Sequence, residues 1–434
     1  MPTKPCVSLL VCGHVDAGKS TLVGNLLFNL GLVDKKHMHK YEQESKKIGK
    51  GSFAFAWVMD ESSEERNRGV TIDVAQRQFE TDHLLVNVLD APGHKDFVPN
   101  MITGAAQSDA ALLVVDCNRG EFEAGFTSHG QTKEHLVIAK SLGVNQIIVA
   151  VNKMDTVDWS ESRFLEIQSM LGPFLKTLDY KSNAVYFVPC SGLLGSNILK
   201  PMDKELSWYK EKLTILQAID KLKAPNRCLD TDVVRFFVSD AYKLQGSLSG
   251  CQGRLEMGRI KPGDKVTVCP SKTAASIKEV HLNENEVEEG FAGQMLNLVL
   301  TGIQDDDVLI PGSVICSPDH LIHSGTMFLL RLLVLGQQPL VKGLPVTFHY
   351  KSIQCSARVL KLNSQIDRVS GDLLKKNPRV LVKRMAGTVT VEIHDRPICV
   401  ELFSMSKELS RFTLRVSNET FATGKAVLDN SYKK

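Results

Sequence analysis

The chain has 434 residues, and its 52 Lys and Arg against 49 Asp and Glu give a formal net charge of +3. This length allows roughly two to four domains, and so small a net charge neither demands nor excludes a nucleic-acid partner. No apolar run approaches the ~20 residues that span a bilayer, and the N-terminal MPTKP lacks a secretory apolar segment. The ten cysteines include no C-x-x-C pair, which favours small buried thiols over a disulfide framework or a zinc site. The sequence therefore predicts a soluble, cytosolic protein with no membrane contact.

The most informative motif lies near the N-terminus. Residues 13–20 are GHVDAGKS, which fits the G-x-x-x-x-G-K-[ST] phosphate-binding loop. The apolar run Val7–Cys12 before it predicts a buried strand, and helical spacing of apolar residues follows it. Backbone N–H groups from about Asp16 to Ser20 would cradle phosphates at a helix start, where the dipole favours anions. We predict that Lys19 contacts the β- and γ-phosphates and that the Ser20 hydroxyl binds Mg²⁺. The predicted phosphate-binding set is Gly13, His14, Val15, Asp16, Ala17, Gly18, Lys19, Ser20, Thr21 and Gly93.

Two further segments carry groups suited to sensing the γ-phosphate. Arg68–Ile72 is RGVTI, where Thr71 would complete the Mg²⁺ shell and lose that contact when the phosphate leaves. The run Leu84–Asp90 predicts a strand that ends in an acid, and Asp90 would hold Mg²⁺ through water. Gly93 follows in the DAPG motif, and its backbone N–H can approach the γ-phosphate because glycine has no Cβ.

The next residue, His94, is the candidate catalytic residue. A histidine is most often a surface or core residue, but here it would lie beside the position of an attacking water. GTPases need a residue that orients this water, and Gln has that role in several. We therefore predict that His94 orients the water.

Residues 152–155, NKMD, end another buried strand and supply groups that recognise guanine. The Asp155 carboxylate can accept from guanine N1–H and the exocyclic amine, whereas adenine has an acceptor at N1 and no such amine. Asn152 would brace the loop, and the Lys153 stem would pack over the base. The predicted guanine-binding set is Asn152, Lys153, Asp155, Ser191, Gly192 and Leu193, the last three through a backbone N–H to guanine O6. The ordered set of phosphate loop, DAPG and NKMD predicts a GTPase.

The sequence also predicts the domain organisation. Five apolar strands alternate with helix-period segments, which is typical of an α/β domain with a mostly parallel sheet flanked by helices. The motifs follow strands, where ligands bind in such sheets. After residue 224 helices are scarce and short strands recur between turns, a pattern that favours β-barrels. We predict a GTP-binding domain at 1–224, with switch I at 31–72 and switch II at 90–104, followed by barrels at 225–319 and 320–434.

About forty residues separate the first helix from Arg68, far more than an ordinary connection. Lys35–Ser52 is rich in lysine, and Phe53–Met59 is apolar with Trp57. One interpretation is a solvated helix with a small apolar anchor. The other is a switch insertion that presents positive charge to phosphate and orders with GTP.

Several motifs together resemble one family over essentially all 434 residues. GHVDAGKST, RGVTID, DAPGHKDFVPNMITGAAQ, GEFEAGF, GQTKEH and NKMD are similar to the elongation-factor-1-alpha superfamily of translational GTPases. Its eukaryotic branches include elongation factor 1-alpha, the release-factor GTPase and the ribosome-rescue GTPase that partners Pelota. The segments His39–Lys47, Val157–Phe164 and Arg396–Phe412 look most like the rescue branch. That resemblance implies a cytoplasmic monomer that delivers Pelota, a release-factor-like protein, to the A site of stalled ribosomes during no-go and non-stop mRNA decay.

The resemblance also implies roles for individual residues. GTP, GDP and Mg²⁺ would be the cofactors, and Asp16 matches an acid associated with a monovalent cation. Val15 and Val70 match an apolar gate that keeps the catalytic His94 away from the water until the ribosome engages.

The chain departs from the family pattern at a few positions. Asn67 replaces a usual Glu, Ser410 replaces a common Gly, and Gly250–Gln252 differs from the strand used by elongation factor 1-alpha. The last departure weakens the expectation of aminoacyl-tRNA binding. The N-terminal extension usual in the rescue and release branches is not among these 434 residues. An aminoacyl-tRNA carrier, a release-factor GTPase and a non-hydrolysing GTP-dependent scaffold remain alternatives, although the presence of the predicted catalytic and metal-binding residues argues against the scaffold.

Overall fold

The computed structural model describes residues 4–47, 53–59, 63–68, 71–127, 130–225, 227, 231–244, 248–282, 285–305, 307–368, 370–416 and 419–427. The chain forms two compact units, residues 1–225 and 226–434. None of the helices in the described ranges combines the length and apolar character needed to cross a lipid bilayer. The nine cysteines in these ranges are all buried free thiols.

The first unit alternates strands with helices. Its strands are β1 (Cys6–Gly13), β2 (Ala75–Glu80), β3 (Leu85–Asp90), β4 (Ala110–Asp116), β5 (Gln146–Asn152) and β6 (Val185–Pro189). Its helices are α1 (Lys19–Asn29), α2 (Lys35–Lys47), α3 (Ser63–Arg68), α4 (Val98–Ala106), α5 (Glu121–Phe126), α6 (Gln131–Leu142), α7 (Glu161–Thr177) and α8 (Ile215–Asp220). Short 3-10 turns cover Ala56–Val58, Lys95–Phe97, Met154–Val157 and Ser182–Ala184.

These strands form one sheet in the order β2-β3-β1-β4-β5-β6. β2 pairs antiparallel with β3, and the other neighbours pair in parallel. β1, β3 and β4 are buried along their whole length, as expected for a parallel sheet covered on both faces. The described sheet has six strands where the sequence predicted five, and the additional strand is the fully buried β4. The carboxyl ends of β1, β3 and β5 carry Gly13, Asp90 and Asn152 to the same edge of the sheet.

The second unit consists of short strands. The first group is β7 (Arg235–Lys243), β8 (Ser249–Met257), β9 (Arg259–Ile260), β10 (Lys265–Cys269), β11 (Thr273–Leu282), β12 (Asn285–Glu286), β13 (Gly290–Phe291), β14 (Met295–Thr301) and β15 (Val314–Cys316). The second group is β16 (Ser324–Gly325), β17 (Met327–Val334), β18 (Leu340–Val341), β19 (Pro345–Tyr350), β20 (Ile353–Ile366), β21 (Leu373–Lys376), β22 (Val380–Leu381), β23 (Ala386–Ile393), β24 (Ile398–Cys399), β25 (Arg411–Val416) and β26 (Glu419–Ala426).

Each group closes into a six-stranded antiparallel barrel. The first runs β10-β15-β7-β8-β14-β11, and the pairing of β10 with β11 closes it. The second runs β19-β25-β26-β17-β23-β20, and the pairing of β19 with β20 closes it. Inward positions alternate with outward ones, as in β17, because successive side chains of a strand point to opposite faces. The predicted arrangement of an α/β domain followed by two β-barrels is therefore confirmed.

Two buried ion pairs connect the barrels within the second unit. Arg235 of β7 lies 2.9 Å from Glu401, and Lys351 lies 2.8 Å from Glu256 of β8. Burial alone would raise the pKa of Glu256, but Lys351 and then Arg254 hold it below its usual value. Each of these carboxylates has an oppositely charged partner within 3 Å, so we interpret the two pairs as structural rather than as a ligand site.

The long connection after α1 packs on the first unit through apolar groups. α2 is mostly exposed, with Met38 and Ser45 as its buried positions. The Phe55 ring lies 5.9 Å from the Phe28 ring of α1, and a Cβ at Gly24 would collide with the Phe55 carbonyl. The segment therefore has the helix and apolar anchor of the first interpretation, while its ordering with GTP stays a prediction.

Candidate nucleotide-binding site

The phosphate loop joins β1 to α1 with a backbone that glycine makes possible. Gly18, which precedes α1, has a φ of 86°, and a Cβ there would lie 2.6 Å from the Asn152 amide nitrogen. Asp16 also has a positive φ of 60°, a conformation that Asp tolerates better than most residues. The loop thus turns sharply and brings the start of α1 to the carboxyl edge of the sheet.

Lys19 lies folded back over this loop. Its side chain is buried, and its Nζ donates to the His14 carbonyl at 2.9 Å. Burial lowers the pKa of Lys19, and the nearby Asp90 opposes that effect. A Cβ at Gly93 would collide with Nζ, so the absence of a side chain at residue 93 is what lets the DAPG turn approach the lysine. Lys19 and Gly93 therefore share the space where the terminal phosphates are predicted to bind.

The three predicted Mg²⁺ ligands come together beside Lys19. The Ser20 and Thr71 hydroxyl oxygens are 3.1 Å apart. Asp90 is fully buried, and neither of its carboxylate oxygens has a hydrogen-bond partner within the described residues. Burial raises the pKa of Asp90 to about 6, although the neighbouring Ser20 hydroxyl and Lys19 ammonium oppose the rise. A buried carboxylate without a partner is costly, and a carboxylate with two hydroxyls suits the hard cation Mg²⁺, so these residues fit the metal.

His94 lies at the entrance to this space. It precedes the turn Lys95–Phe97, and its Nδ1 accepts from the Asp96 backbone N–H at 3.3 Å. Its ring centroid is 5.9 Å from that of Phe97, and its side chain is 39% exposed. The hydrogen bond at Nδ1 therefore fixes one side of the ring, and the ring is still accessible to solvent. A residue that orients an attacking water needs this accessibility.

A cleft of about 530 Å³, part of it open to solvent, contains most of these groups. Its walls are Val15, Asp16, Gly18, Lys19, Ser20, Thr21, Phe53, Ala56, Thr71, Gly93 and His94. The cleft thus brings together most of the predicted phosphate-binding residues, Ser20 and Thr71 of the predicted metal site, the predicted catalytic His94 and Val15 of the predicted gate. Its walls do not include the predicted residues Gly13, His14, Ala17 and Asp90. Val70, the other gate residue, lies outside the described residues. Phe53 and Ala56 were not predicted, and the apolar run Phe53–Met59 was the signal that could have indicated them.

Asn152 connects the predicted guanine loop to the phosphate loop. Its Nδ2 donates to the Ala17 carbonyl at 2.8 Å, and its Oδ1 accepts from the Gly192 backbone N–H at 2.7 Å. Asp155, in the turn Met154–Val157, is partly exposed beside it. One buried side chain therefore joins three of the segments that the sequence analysis assigned to the nucleotide.

Other side chains, missed by the sequence analysis, support these loops. Asn25 of α1 donates to the Gly192 carbonyl at 2.8 Å and to the Leu193 carbonyl at 3.2 Å. This amide orients the backbone of the Ser191–Leu193 turn, whose Leu193 side chain is exposed. The partners are more than 160 positions apart in the chain, so no local pattern could have indicated the contact.

A charged network holds the other side of the guanine loop. Lys153 has a φ of 64°, and its Nζ lies 2.7 Å from the Asp116 carboxylate at the end of β4. The buried Arg163 of α7 donates through Nε to the Cys117 carbonyl at 2.7 Å and pairs with Glu123 at 2.9 Å. These contacts fix the direction of the Lys153 stem, which leaves its methylene groups available to a base.

The fold and this site together define a P-loop GTP-binding domain followed by two β-barrels. Residues 4–225 match the family model of the elongation factor Tu GTP binding domain. Residues 327–427 match the GTP-eEF1A C-terminal domain-like family. The chain therefore belongs to the elongation factor Tu and elongation factor 1-alpha family of translational GTPases, as the sequence resemblance predicted. Its enzyme class is GTPase, and GTP and GDP are its nucleotides.

The chain is similar to several individual members of this family. The chain is 45% identical over 424 residues to Protein HBS1 of Drosophila melanogaster, covering 97% of this chain and 63% of that protein, so it spans less than two thirds of that relative. It is 38% identical over 425 residues to elongation factor 1-alpha of Ignicoccus hospitalis, covering 97% of this chain and 95% of that protein. A crystal structure of the S. cerevisiae Ski7 GTPase-like domain bound to GTP has a TM-score of 0.81 at 19% identity over 98% of both chains. This last likeness is one of fold.

Proposed function

We propose that this protein is a GTP-hydrolysing ribosome-rescue factor that delivers a Pelota-type, release-factor-like partner to stalled ribosomes. The strong similarity to HBS1 over nearly the whole chain supports the rescue branch. The observation that carries the hydrolytic part is the convergence of the predicted phosphate, metal and water-orienting residues on one cleft. The function would be exercised by a cytoplasmic monomer acting in no-go and non-stop mRNA decay.

The proposed working parts follow the predicted domain organisation. The GTP-binding domain is residues 1–224, with switch I at 31–72 and switch II at 90–104. The barrels at 225–319 and 320–434 would contribute surfaces for the partner and the ribosome.

Nucleotide choice rests on the loop after β5. The Asp155 carboxylate accepts from guanine N1–H and the exocyclic amine, and the Lys153 stem covers the base. Asn152 braces the loop through the contacts described above, and a backbone N–H of Ser191–Leu193 reaches guanine O6. Adenine lacks the matching donors, so the same loop rejects ATP.

Phosphate binding rests on the loop after β1. Backbone N–H groups of residues 13–21 and the Lys19 ammonium hold the phosphates, and Gly93 approaches the γ-phosphate with its N–H. Ser20, Thr71 and, through water, Asp90 would hold Mg²⁺, which supplies charge neutralisation between the phosphate oxygens. Asp16 would contribute to a monovalent cation site beside the phosphates.

Hydrolysis is an in-line attack of water on the γ-phosphorus. The new bond joins the water oxygen to phosphorus, and the bond to the bridging oxygen breaks as GDP leaves. His94 orients the water through its ring, and the Val15 and Val70 gate keeps the ring away until the ribosome engages. Once the γ-phosphate has gone, Thr71 and Gly93 lose their contacts and the switches relax.

The affinity of the partner for the GTP and GDP forms tests whether the nucleotide controls partner binding. The partner should bind the GTP form more tightly than the GDP form, since only differential affinity lets GTP bias the complex. A coupling of about 1–3 kcal/mol, or 5–150-fold in affinity, is typical. Isothermal titration of Pelota into protein loaded with a non-hydrolysable GTP analogue, and separately with GDP, measures it. Equal affinities would remove the nucleotide switch from the mechanism.

A competition experiment decides the branch. The GTP-analogue-loaded protein is offered Pelota, release factor 1 and aminoacyl-tRNA together, and the captured partner is identified. Capture of Pelota supports the proposal. Capture of release factor 1 or aminoacyl-tRNA alone would make this a release-factor GTPase or a tRNA carrier.

A further inference from the structure

The two residues that follow Thr71 are held on both sides by side chains from different helices. Glu65 Oε1, on α3, accepts from the backbone N–H of Ile72 at 2.9 Å and of Asp73 at 3.2 Å. Asn100 Nδ2, on α4, donates to the Ile72 carbonyl at 2.7 Å and to Asp73 Oδ1 at 3.2 Å. The two residues after Thr71 are therefore held by side chains of both α3 and α4.

The bonds to Glu65 are partly shielded from water, whereas the Asn100 bond to Asp73 Oδ1 is exposed. Glu65 is 6% exposed and Thr71 is 9% exposed. Hydrogen bonds to a carboxylate are stronger than bonds between neutral groups, and a buried N–H left without its acceptor costs more than an exposed one. Loss of the Glu65 carboxylate should therefore release the backbone beside Thr71 rather than leave it in place with water as a substitute.

The next residue of α3 faces the long connection after α1. The Arg66 guanidinium carbon lies 5.1 Å from the centroid of the Tyr41 ring of α2 and 5.7 Å from that of Trp57. The two rings meet edge to face, with centroids 6.2 Å apart. Cation–π contacts of this kind favour a fixed arrangement. Adjacent residues of one short helix thus contact the segment after Thr71 on one side and the lysine-rich α2 on the other.

We propose that Glu65 and Asn100 are positioning residues for Thr71, and that Glu65 and Arg66 couple this threonine to the α2 insertion. The proposal deepens the proposed function and rests on the role of Thr71 in that nucleotide switch. When Thr71 is engaged by metal and γ-phosphate, α3 is fixed between the Thr71 segment and the Trp57 cluster. When Thr71 is released, the bonds through Glu65 loosen and the insertion loses one of its attachments.

The first test uses a matched pair of variants at one position. Glu65→Ala removes the acceptor, whereas Glu65→Gln keeps an oxygen that can accept from both N–H groups. We expect Glu65→Ala to lower the ratio of affinities for a non-hydrolysable GTP analogue over GDP by roughly tenfold or more, and Glu65→Gln by no more than about threefold. Unchanged GDP affinity shows that Glu65→Ala has folded. An unchanged ratio, or equal effects of Ala and Gln, would overturn the proposal.

The second test asks whether Glu65 acts through Thr71. If it does, the double variant Glu65→Ala with Thr71→Ala should have the affinity ratio of Thr71→Ala alone. Additive effects would refute a positioning role. An unaffected ratio in Thr71→Ala would refute the proposed role of Thr71 itself, and this inference with it. Neither ribosomes nor Pelota enter the experiment, so an incorrect partner assignment leaves its result unchanged.

Structural readouts complete the design. Hydrogen exchange at the amides of Ile72 and Asp73 should quicken in both Glu65→Ala and Asn100→Ala loaded with the GTP analogue. In a Trp159→Phe, Trp208→Phe background, Trp57 is the only tryptophan of the chain. Its emission should differ between the GDP and GTP-analogue forms, and Glu65→Ala should remove that difference. Unchanged exchange, or an unchanged difference in emission, would contradict the coupling.

Discussion

Two buried carboxylates, one in each unit, show how differently the two units use buried charge. Asp90 in the GTP-binding domain is fully buried with both oxygens lacking a hydrogen-bond partner in the described structure, and burial raises its pKa to about 6. Glu256 in the first barrel is as deeply buried, but Lys351 lies 2.8 Å away and its pKa is lowered despite the burial. An unsatisfied buried charge indicates a place for a ligand, whereas a paired one indicates internal structure.

The largest expected effect is on the rate of hydrolysis, and it should come from His94, a residue that we assign to catalysis and not to the stability of the fold. If the His94 ring orients the water as proposed, His94→Ala should keep the proposed affinities for GTP and Pelota and lose ribosome-stimulated hydrolysis. The loss should approach the 10³–10⁵-fold gap between stimulated and intrinsic turnover in GTPases. Single-turnover hydrolysis with and without ribosomes measures it, with the exposed His83→Ala as control. Full stimulated activity in His94→Ala would assign the water to another residue.

The paired carboxylate should behave in the opposite way. Glu256→Ala removes the carboxylate that pairs with the buried Lys351, which should lower the free energy of unfolding by about 3–5 kcal/mol. Nucleotide affinity should not change, since the pair lies in the barrels. Chemical denaturation measures the loss, and Glu279→Ala, which breaks surface contacts with Lys278 and His281, should cost much less.

Replacing both members sharpens this prediction. Glu256→Leu with Lys351→Met removes the charges together, so the double variant should be far more stable than Glu256→Ala alone. A double variant as unstable as the single one would mean that the pair itself stabilises the barrels.

Substitution of Asp155, the carboxylate proposed to recognise guanine, should have a smaller effect, and only on nucleotide affinity. Asp155→Asn should weaken GTP binding by roughly 1.5–3 kcal/mol, because a charge-assisted hydrogen-bonded pair is lost. Preference should shift toward xanthosine triphosphate, whose base offers a matching acceptor. Titration with both nucleotides measures the change, and the exposed Asp158→Asn is the control. Unweakened GTP binding by Asp155→Asn would move the base contact elsewhere.

The comparison also explains what the sequence could and could not predict. The nucleotide motifs are contiguous, and their chemistry depends on a few fixed positions such as Gly18 and Lys19, so the cleft could be anticipated. The recurring short strands between turns likewise predicted the barrels, although the alternating burial of β17 is not visible in its almost uniformly apolar sequence. The two-residue strands such as β9 are too short for any periodicity, and their pairing depends on distant chain segments.

The polar contacts that support the nucleotide loops and the barrels could not be predicted either, because they also join distant chain segments. Asn25 contacts Gly192 across 167 positions, and Lys351 contacts Glu256 across 95. A sequence shows that an Asn or a Glu is present, but only the fold decides whether its partner is water, a ligand or another part of the chain. The difference between Asp90 and Glu256 could therefore not be foreseen from the residues alone.

The last prediction concerns buried histidines, of which each unit has one among its described residues. Burial lowers the pKa of His135 in α6 to about 3 and that of His349 in β19 to about 4, with nearby cations adding to the effect. The unfolded chain takes up a proton at each site below about pH 6.5, but the native state does not. Stability present above pH 6.5 is therefore lost as pH falls, by about 2 kcal/mol per histidine at pH 5.

The variants His135→Gln and His349→Gln measure how much each histidine contributes to the pH dependence of the unfolding free energy. Each variant replaces the histidine with a group that stays uncharged, so each should flatten the fall in unfolding free energy between pH 6.5 and 5 by its own share. Denaturant titrations at several pH values, at one fixed nucleotide concentration, measure the slopes, and His39→Gln on the exposed face of α2 serves as control. If only His135→Gln alters the slope, His349 takes up a proton in the folded barrel as readily as in the unfolded chain. That result would contradict the lowered pKa of His349. Equal flattening by both would show that the interiors of the two units exclude a charged histidine to the same degree.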